Sequence, residues 1–443
     1  MPSKESVDLI IEARWVLPIA PPGAVWAQSA VAVRDGRIAA AGPVAEIDAR
    51  FDAAERVRRP EHVLLPGLVN ACTRSATSLL RGLSVRAPLM RWLRETLEPA
   101  EARWMSPDFV RDGVQLAMAE MLRAGITTFA DTCLYPEEAA RAVAAARMRA
   151  VIGLPVADTP TPWADTATAY LDKCERLWDE YRSNPWVCLQ FTPHPPYSIS
   201  DETLLRVRRV ADELDARVAM NVHETEVEIQ DGLTRHGRRP LQRLDDLGLL
   251  RPGFTAVHMN RLDDRDIDIA VRTGLSVVAC PQSDLRLGSG SCPVAELASR
   301  GVSVGLGTDG PVSVGALDLL AEARLTVLLA SGSSAGGHAF GAHEALHLAT
   351  LGGANVLGLG AEIGSIEPGK AADLICIHLG LPARQYPDPA EAIVFAATRD
   401  HVSDVWIGGR PVVSGHRLLA FDEQELLQLA RQWSARMIDG VRP

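Results

Sequence analysis

Short apolar runs alternate with helix-like segments through most of the chain. Helical spacing of apolar positions is found, for example, at Pro107–Ala124 and Asp201–Leu214. The apolar runs predict strands at Val63–Val69, Thr127–Ala130, Ala150–Leu154, Val187–Phe191, Arg217–Asn221, Phe254–His258, Leu275–Ala279 and Val302–Leu306. About eight such units in roughly 300 residues predict an α/β fold with a closed (β/α)8 barrel of the TIM type. An open doubly wound sheet is the alternative, but no GxGxxG follows the first strand, which disfavours a dinucleotide-binding domain.

The two ends of the chain have a different pattern, typical of hairpins. Asp35-Gly36 lies between two β-rich runs, and Gly408-Gly409 precedes another one near the C terminus. We therefore predict that residues 1–65 and 365–443 form one small, discontinuous β-sandwich around a barrel of residues 66–364. The C-terminal part ends in a segment with helical spacing, about Asp422 to Asp439.

Composition and charge narrow the classes of partner. The 443 residues are 47% hydrophobic, and the formal net charge is -11, which disfavours nucleic acid and acidic membranes as partners. At the start of the chain apolar and polar residues alternate, whereas a signal peptide would have a continuous apolar run. No apolar run in the sequence approaches the ~20 residues that a membrane span needs. Seven scattered cysteines without a CxxC favour a reducing cytoplasm. We expect a cytoplasmic protein that binds a small molecule.

Ionisable residues follow several predicted strands at the end where barrel enzymes carry their catalytic groups. Cys72 and Arg74 follow the first strand, and the sequence Asn-Val-His-Glu-Thr-Glu, residues 221–226, covers the end of the fifth. His258 ends the sixth strand and Asp309 follows the eighth. A single polar residue at a strand end is usually a cap, but four such strand ends at one barrel mouth predict a functional site.

The chain resembles the amidohydrolase superfamily, and most of all the group of methylthioadenosine/S-adenosylhomocysteine deaminases and triazine chlorohydrolases. The resemblance covers almost the whole chain. It rests on segments that follow one another in the order of the family, namely residues 66–70, 123–128, 193–198, the His223/Glu226 pair, His258, residues 280–283, 307–310 and 363–373.

The resemblance implies roles for individual residues. Family members end the first strand in a metal-binding His-x-His, and here the two positions are Cys72 and Arg74. The other metal ligands correspond to His223 and Asp309, and the proton-shuttling glutamate to Glu226. The histidine near the attacked water corresponds to His258, and the histidine that contacts substrate corresponds to His194. Four further residues lie in loops that differ from the family and would contact substrate, namely Arg86, Cys133, Asp284 and Arg286.

The loss of two imidazoles bears on the cofactor. A guanidinium has no lone pair to offer a metal and stays protonated, so Arg74 would repel a cation. We therefore expect an enzyme without the usual divalent metal, in which Arg74 pairs with Asp309 or Glu226. In one variant of this hypothesis, Cys72 is a thiolate nucleophile activated by Arg74, although a small buried residue is the simpler interpretation of Cys72.

Other hypotheses remain open at this point. One is a rearranged metal site of Cys72, His223, His258 and Asp309 with zinc or another divalent metal. Another is a non-catalytic ligand-binding protein or an inactivated deaminase of the same fold. The resemblance implies a hydrolase that deaminates or dehalogenates a nitrogen heterocycle, and a homodimer or homotetramer.

Overall fold

The computed structural model describes residues 4–83, 85, 87–333 and 340–441. The strands are β1 Glu5–Val16, β2 Trp26–Arg34, β3 Arg37–Pro43, β4 Phe51–Pro66, β5 Leu68–Thr73, β6 Ile126–Asp131, β7 Arg149–Val156, β8 Val187–Pro193, β9 Arg217–Val222, β10 Phe254–His258, β11 Ser276–Ala279, β12 Ser303–Leu306, β13 Leu374–His378, β14 Val402–Ile407, β15 Arg410–Ser414 and β16 Arg417–Leu418.

The helices follow the strands of the barrel for the most part. They are α1 Val44–Arg50, α2 Leu89–Trp92, α3 Glu98–Trp104, α4 Pro107–Arg123, α5 Pro136–Ala146, α6 Ala167–Tyr181, α7 Asp201–Glu213, α8 Glu226–His236, α9 Pro240–Asp246, α10 Asp264–Thr273, α11 Pro281–Arg286, α12 Val294–Ser299, α13 Pro311–Val314, α14 Leu319–Ser333, α15 Ala342–His347, α16 Gly353–Val356, α17 Pro389–Glu391 and α18 Glu423–Val441. Among the described residues, no helix is both long and apolar enough to cross a bilayer.

Strands β5 to β12 form one eight-stranded sheet in chain order, and the pairs from β7 to β12 are parallel. The sheet closes on itself at its mouth, where Thr73 forms a parallel bridge with Asp309. The backbone N–H groups of Thr308 and Asp309 both donate to the carbonyl of Cys72, at 3.0 Å. The predicted (β/α)8 barrel is confirmed.

Burial on both faces explains why these strands are continuous apolar runs. Every residue of β6, β10 and β11 is buried, as expected for a parallel sheet covered by helices on one face and filled by side chains on the other. The strand ends carry the polar exceptions. His258, for instance, is the last residue of β10, so the barrel delivers it to the mouth.

The second sheet is mixed and has the order β16-β15-β14-β13-β4-β1-β2-β3. Its apolar core includes Ile11, Val31, Leu64 and Trp406. The predicted hairpin at Asp35-Gly36 connects β2 to β3, and both residues have positive φ, 52° and 73°, which is the conformation that favours this dipeptide in tight hairpins.

Two compact units make up the chain. One comprises Met1–Asn70, Ala119–Thr128 and Asp318–Asp422, and the other comprises Ala71–Met118, Phe129–Leu317 and Glu423–Pro443. The division of the chain at residues 65/66 and 364/365 stays a prediction.

Helix α18 belongs to the second unit, where its Trp433 is buried. Nε1 of this indole donates to Asp112 at 2.9 Å, and the ring meets Phe109 edge to face. The helix predicted at the C-terminal end is therefore present, and its Trp433 anchors it to α4.

A buried ion pair in the mixed sheet yields a stability prediction. Burial would raise the pKa of Asp404, but Arg59 lowers it by donating at 2.7 and 2.6 Å to a carboxylate that is 1% exposed. Asp404→Ala removes the acceptor and leaves Arg59 without its counter-charge, so we expect a loss of roughly 3 kcal/mol in the free energy of unfolding at neutral pH. Urea denaturation measures it. Asp52→Asn, an exposed carboxylate of β4, is the matched control, and an equal loss in both variants would contradict the prediction.

Candidate functional site

His258 is the centre of a buried polar row at the mouth of the barrel. Its Nδ1 lies 2.8 Å from Asp284 Oδ1, and its Nε2 lies 3.7 Å from Glu224 Oε1 and 3.2 Å from the side-chain amide nitrogen of Asn221. The side chains of His258 and Asp284 are each 1% exposed. An imidazole held between two carboxylates in this way is a typical arrangement for proton transfer or for metal binding.

Burial and neighbouring charge determine the protonation of this row. Burial alone would lower the pKa of His258, but Glu224 and Asp284 outweigh it and raise that pKa well above 6.5. Burial raises the pKa of Glu224 to about 7, against the opposing effect of His258. Such shifts in one buried cluster are characteristic of functional sites.

A turn of the backbone after β9 determines which side chains reach the row. His223 has a φ of 56°, which breaks the alternation of the strand, so that Asn221 and then Glu224 face His258. The turn is held by Glu228, whose carboxylate accepts the backbone N–H groups of His223 and Glu224 at 2.9 and 2.8 Å.

The structure places His223 and Glu226 away from the row. The ring of His223 is fully buried, where Nε2 accepts the backbone N–H of Leu241 at 2.9 Å and Nδ1 lies 3.4 Å from Asp266. Glu226 is the exposed first residue of α8, and its carboxylate accepts from Gln230. The expected roles as metal ligand and proton shuttle do not fit these positions, because the left-handed turn at His223 shifts the chain relative to a regular strand.

Arg74 lies at the mouth, as expected, but with a different partner. Its Nη2 donates to Glu101 of α3 at 3.1 Å, and this carboxylate is the main cause of a raised pKa of Arg74. Asp309, Cys72 and Glu224 contribute further to the field at Arg74. The predicted hydrogen bond to Asp309 or Glu226 is therefore wrong, since helix α3 supplies the counter-charge.

Asp309 and Cys72 face each other where the barrel closes. Two hydroxyl groups, from Ser283 and Ser313, donate to Asp309 Oδ2 at 2.6 and 3.0 Å. A Cβ atom on Gly307 would lie 2.6 Å from Cys72 Cβ, so a glycine is required for the chain to pass this close to Cys72. The thiol of Cys72 adjoins that of Cys280, whose pKa is raised well above 9.0 by burial first and by Cys72 second.

The remaining predicted pocket residues are distributed unevenly. Burial, and then Arg74, lower the pKa of His194 to about 4, so this imidazole is neutral at pH 7. Cys133 is buried at the end of β6 beside Asp131, which also accepts hydrogen bonds from Ser75. Arg286 is exposed on α11, and Arg86 lies outside the described residues.

Sequence reasoning missed Asn221, Glu224 and Glu101. Asn221 and Glu224 lie in the segment of residues 221–226, which follows the fifth predicted strand. If that strand is taken to end at Asn221, the sequence indicates Asn221 and Glu224 as the residues at the mouth. Nothing in the sequence around Glu101 marks it as a partner of Arg74, because the contact depends on how α3 packs.

Left-handed backbone at non-glycine residues is a further mark of this site. His223, His258 and Asp309 have φ values of 56°, 77° and 58°. Such residues are rare outside functional sites and tight turns, because each costs of order 1–3 kcal/mol. Their position at three strand ends of one mouth shows that the fold holds the site in shape at some cost to stability.

The structural role of His223 yields a pH prediction. Burial would raise the pKa of Asp266, but His223 and Arg239 lower it to about 2. Because the pKa of Asp266 is lower in the folded state, its ionised carboxylate stabilises the fold at pH values above the ordinary pKa near 4. This stabilisation is lost as the pH falls towards 2. Asp266→Asn should therefore cost roughly 2 kcal/mol at pH 7 and progressively less below pH 4.

Urea denaturation between pH 7 and pH 2.5 measures this difference against the wild type. Asp264→Asn, an exposed carboxylate in the first turn of the same helix, is the control and should change stability by a few tenths of a kcal/mol at most. A deficit of Asp266→Asn that stays constant with pH would refute the assignment.

Comparison with known proteins supports a deaminase-like architecture. The chain is 38% identical over 438 residues to a 5-methylthioadenosine/S-adenosylhomocysteine deaminase of Teredinibacter turnerae, covering 99% of both chains. The corresponding protein of Saccharophagus degradans is 39% identical over 438 residues, covering 99% of this chain and 98% of the relative. An adenosine deaminase from Xanthomonas campestris, crystallised with bound zinc, superimposes with a TM-score of 0.97 at 41% identity, covering 99% of this chain and 100% of its own.

The zinc of the Xanthomonas protein overturns our expectation of a site without a metal cofactor. The described residues also contain a suitable donor set. Glu224, His258 and Asp284 each offer a ligand atom within 4.8 Å of the others, and Asp284 Oδ2 is buried with no hydrogen-bond partner in the described structure. Imidazole and carboxylate are usual zinc ligands, so this set fits a divalent cation. The alternative set with Cys72 and His223 is not favoured, because His223 is turned away.

The fold has other relatives, and a family match covers most of the chain. An atrazine chlorohydrolase of Arthrobacter aurescens superimposes with a TM-score of 0.89 at 21% identity, covering 96% of this chain and 99% of its own, which shows a common fold. Residues 63–412 match the amidohydrolase family. With the barrel, the polar row at its mouth and these relatives taken together, the chain belongs to the amidohydrolase family and is an enzyme of the hydrolytic type.

Proposed function

We propose that this protein is a metal-dependent hydrolytic deaminase of adenine nucleosides, including those with a thioether at the 5′ position. The observation that carries the proposal is the row of Asp284, His258 and Glu224 beside Asp309 at the barrel mouth. The substrate class is supported by relatives that are 38–41% identical over nearly the whole chain and are named as deaminases of adenosine or of 5-methylthioadenosine and S-adenosylhomocysteine.

The metal would be held by Glu224, His258 and Asp284. When bound, a zinc ion polarises water and so makes it a stronger nucleophile at neutral pH. In hydrolytic deamination a water molecule would add to the ring carbon that bears the amino group and form a C–O bond. The proton that Asp309 takes from this water would pass to the amino nitrogen, so that the C–N bond breaks and ammonia leaves.

The residues around the row handle the protons and orient the base. The carboxylate of Asp309 is held by two serine hydroxyls and can take up a proton from water. His194 is neutral at pH 7 and can therefore either donate to or accept from a ring nitrogen. Arg74, fixed by Glu101, holds a positive charge next to Asp309.

The test is deamination by the zinc-reconstituted protein. Adenosine, 5′-methylthioadenosine and S-adenosylhomocysteine are supplied separately, and released ammonia and the deaminated nucleoside are measured. Glu224→Gln should lower kcat/KM at least ~100-fold, because it removes a carboxylate from the set that would hold the metal and activate water.

Glu226→Gln is the matched control, two residues away on the exposed start of α8. It should stay within about two-fold of the wild type, as surface changes away from a site usually have small effects. The proposal fails if the zinc-loaded wild type deaminates none of the three nucleosides, or if the two glutamate variants lose the same activity.

A further inference from the structure

Arg261 carries a guanidinium near the polar row without an acidic partner among the described residues. It follows His258, the last residue of β10, by three positions, so their Cα atoms lie within about 11 Å of each other. The Nε atom of Arg261 is buried and has no hydrogen-bond partner in the described structure. A buried donor without an acceptor is costly, and a ligand can supply the acceptor that the protein does not.

The carboxylates that follow Arg261 most closely in the sequence are engaged by another residue. Arg239 lies 3.5 Å from Asp263 and 2.6 Å from Asp266. The same guanidinium donates to the backbone carbonyl of Arg261 at 2.6 Å, so Arg239 occupies the acidic side of this loop. The positive charge of Arg261 therefore stays without a counter-charge from these two neighbours.

The backbone attaches Arg261 to the turn that shapes the site. The N–H groups of Asn260 and Arg261 both donate to the carbonyl of His223 at 3.0 Å. His223 is the left-handed residue of the turn that brings Glu224 to His258. Arg261 is thus fixed to the same turn as the polar row, and a ligand group held by Arg261 lies close to that row.

The loop after α11 forms a second wall beside the guanidinium. Gly290 has a φ of 120°, and a Cβ atom there would lie 3.1 Å from Cζ and 3.2 Å from Nη2 of Arg261, so the guanidinium packs directly on glycine backbone. The preceding Ser289 is 1% exposed, and its hydroxyl is buried without a partner in the described part of the chain. Its backbone N–H donates to the carbonyl of Asp284 at 2.8 Å, which connects this loop to the row as well.

The chemistry of these groups suits a carboxylate. A guanidinium offers N–H donors in the planar arrangement that matches two carboxylate oxygens, and the hydroxyl of Ser289 is a further donor. One guanidinium balances one negative charge, which is the charge of a carboxylate at neutral pH. A phosphate group carries nearly two negative charges at that pH and would be only half compensated by Arg261.

We propose that Arg261, together with the hydroxyl of Ser289, binds a carboxylate at the end of the 5′ side arm of the substrate. The inference rests on the proposed function and deepens it, since it names the part of the nucleoside that determines which substrate is preferred. S-adenosylhomocysteine, whose arm ends in an amino acid, is then a better substrate than 5′-methylthioadenosine, whose arm ends in a methyl group.

Steady-state deamination of three nucleosides by the zinc-reconstituted protein tests the inference. S-adenosylhomocysteine has the carboxylate, 5′-methylthioadenosine lacks the whole amino-acid end, and 5′-deoxy-5′-(3-aminopropylthio)adenosine keeps the ammonium group alone. Arg261→Gln should lower kcat/KM for S-adenosylhomocysteine at least ~10-fold, mainly through KM, because charge-assisted hydrogen bonds to the carboxylate are lost. The other two nucleosides should stay within about two-fold of the wild type, which also shows that the variant is folded.

Three further variants separate recognition of the carboxylate from a general effect of charge. Arg261→Lys keeps the charge but loses the planar fork, so it should recover only part of the activity with S-adenosylhomocysteine. Ser289→Ala removes one neutral donor and should raise KM for this nucleoside about three-fold. Arg265→Gln, on the exposed first turn of α10, removes the same charge further from the site and should change kcat/KM less than about two-fold.

Binding of the deaminated nucleosides distinguishes a failure of this inference from a failure of the proposed function. S-inosylhomocysteine and 5′-methylthioinosine are not consumed, so calorimetry gives their Kd values whether or not the protein deaminates anything. Tighter binding of S-inosylhomocysteine that depends on Arg261, in a protein that deaminates none of the three nucleosides, would refute the proposed function and leave the inference intact.

The opposite results overturn the inference and leave the proposed function standing. They are deamination in which Arg261→Gln affects all three nucleosides equally or none of them, an effect of Arg265→Gln as large as that of Arg261→Gln, and the absence of S-inosylhomocysteine binding in a protein that deaminates the other nucleosides.

Discussion

Carboxylates buried at the mouth of an apolar barrel have to be matched by hydrogen-bond donors or by positive charge. Each of those found here is matched differently. Asp309 receives two serine hydroxyls, Glu101 receives Arg74, and Asp284 receives the imidazole of His258. Glu224 is the least compensated, as its pKa raised by burial to about 7 shows. The positions of Arg74, His258 and the two serines at the mouth follow from this constraint, because each of them is paired with a buried carboxylate.

The barrel could be predicted from the sequence because its strands are buried on both faces. Continuous apolar runs such as Phe254–His258 are unambiguous signals when they recur with helices between them. The hairpin at Asp35-Gly36 was equally predictable, since its two residues have a strong preference for the backbone that the turn requires. Local chemistry determines these features, and they depend little on distant contacts.

The sequence pattern placed His258 and Asp309 at strand ends of the barrel mouth and Asp284 in the loop after the seventh strand, and the structure has them there, while their roles stay predictions. The segment after β9 was misjudged because the chain changes direction at His223. A non-glycine residue with positive φ is not visible in a sequence, because the contacts that hold it, here with Glu228 and Leu241, come from residues further along the chain. The partner of Arg74 was missed for the same reason, since Glu101 reaches it through the packing of α3.

The way in which the barrel closes has a consequence for its evolution. Closure runs through main-chain atoms, namely the bridge between Thr73 and Asp309 and the two N–H groups that donate to the carbonyl of Cys72. Side chains at positions 72 and 74 take no part in it. Substitutions at these two positions therefore leave the main-chain contacts of closure in place, although a change at position 74 also removes the counter-charge of Glu101. A protein built in this way is a suitable starting point for laboratory selection of new metal preferences.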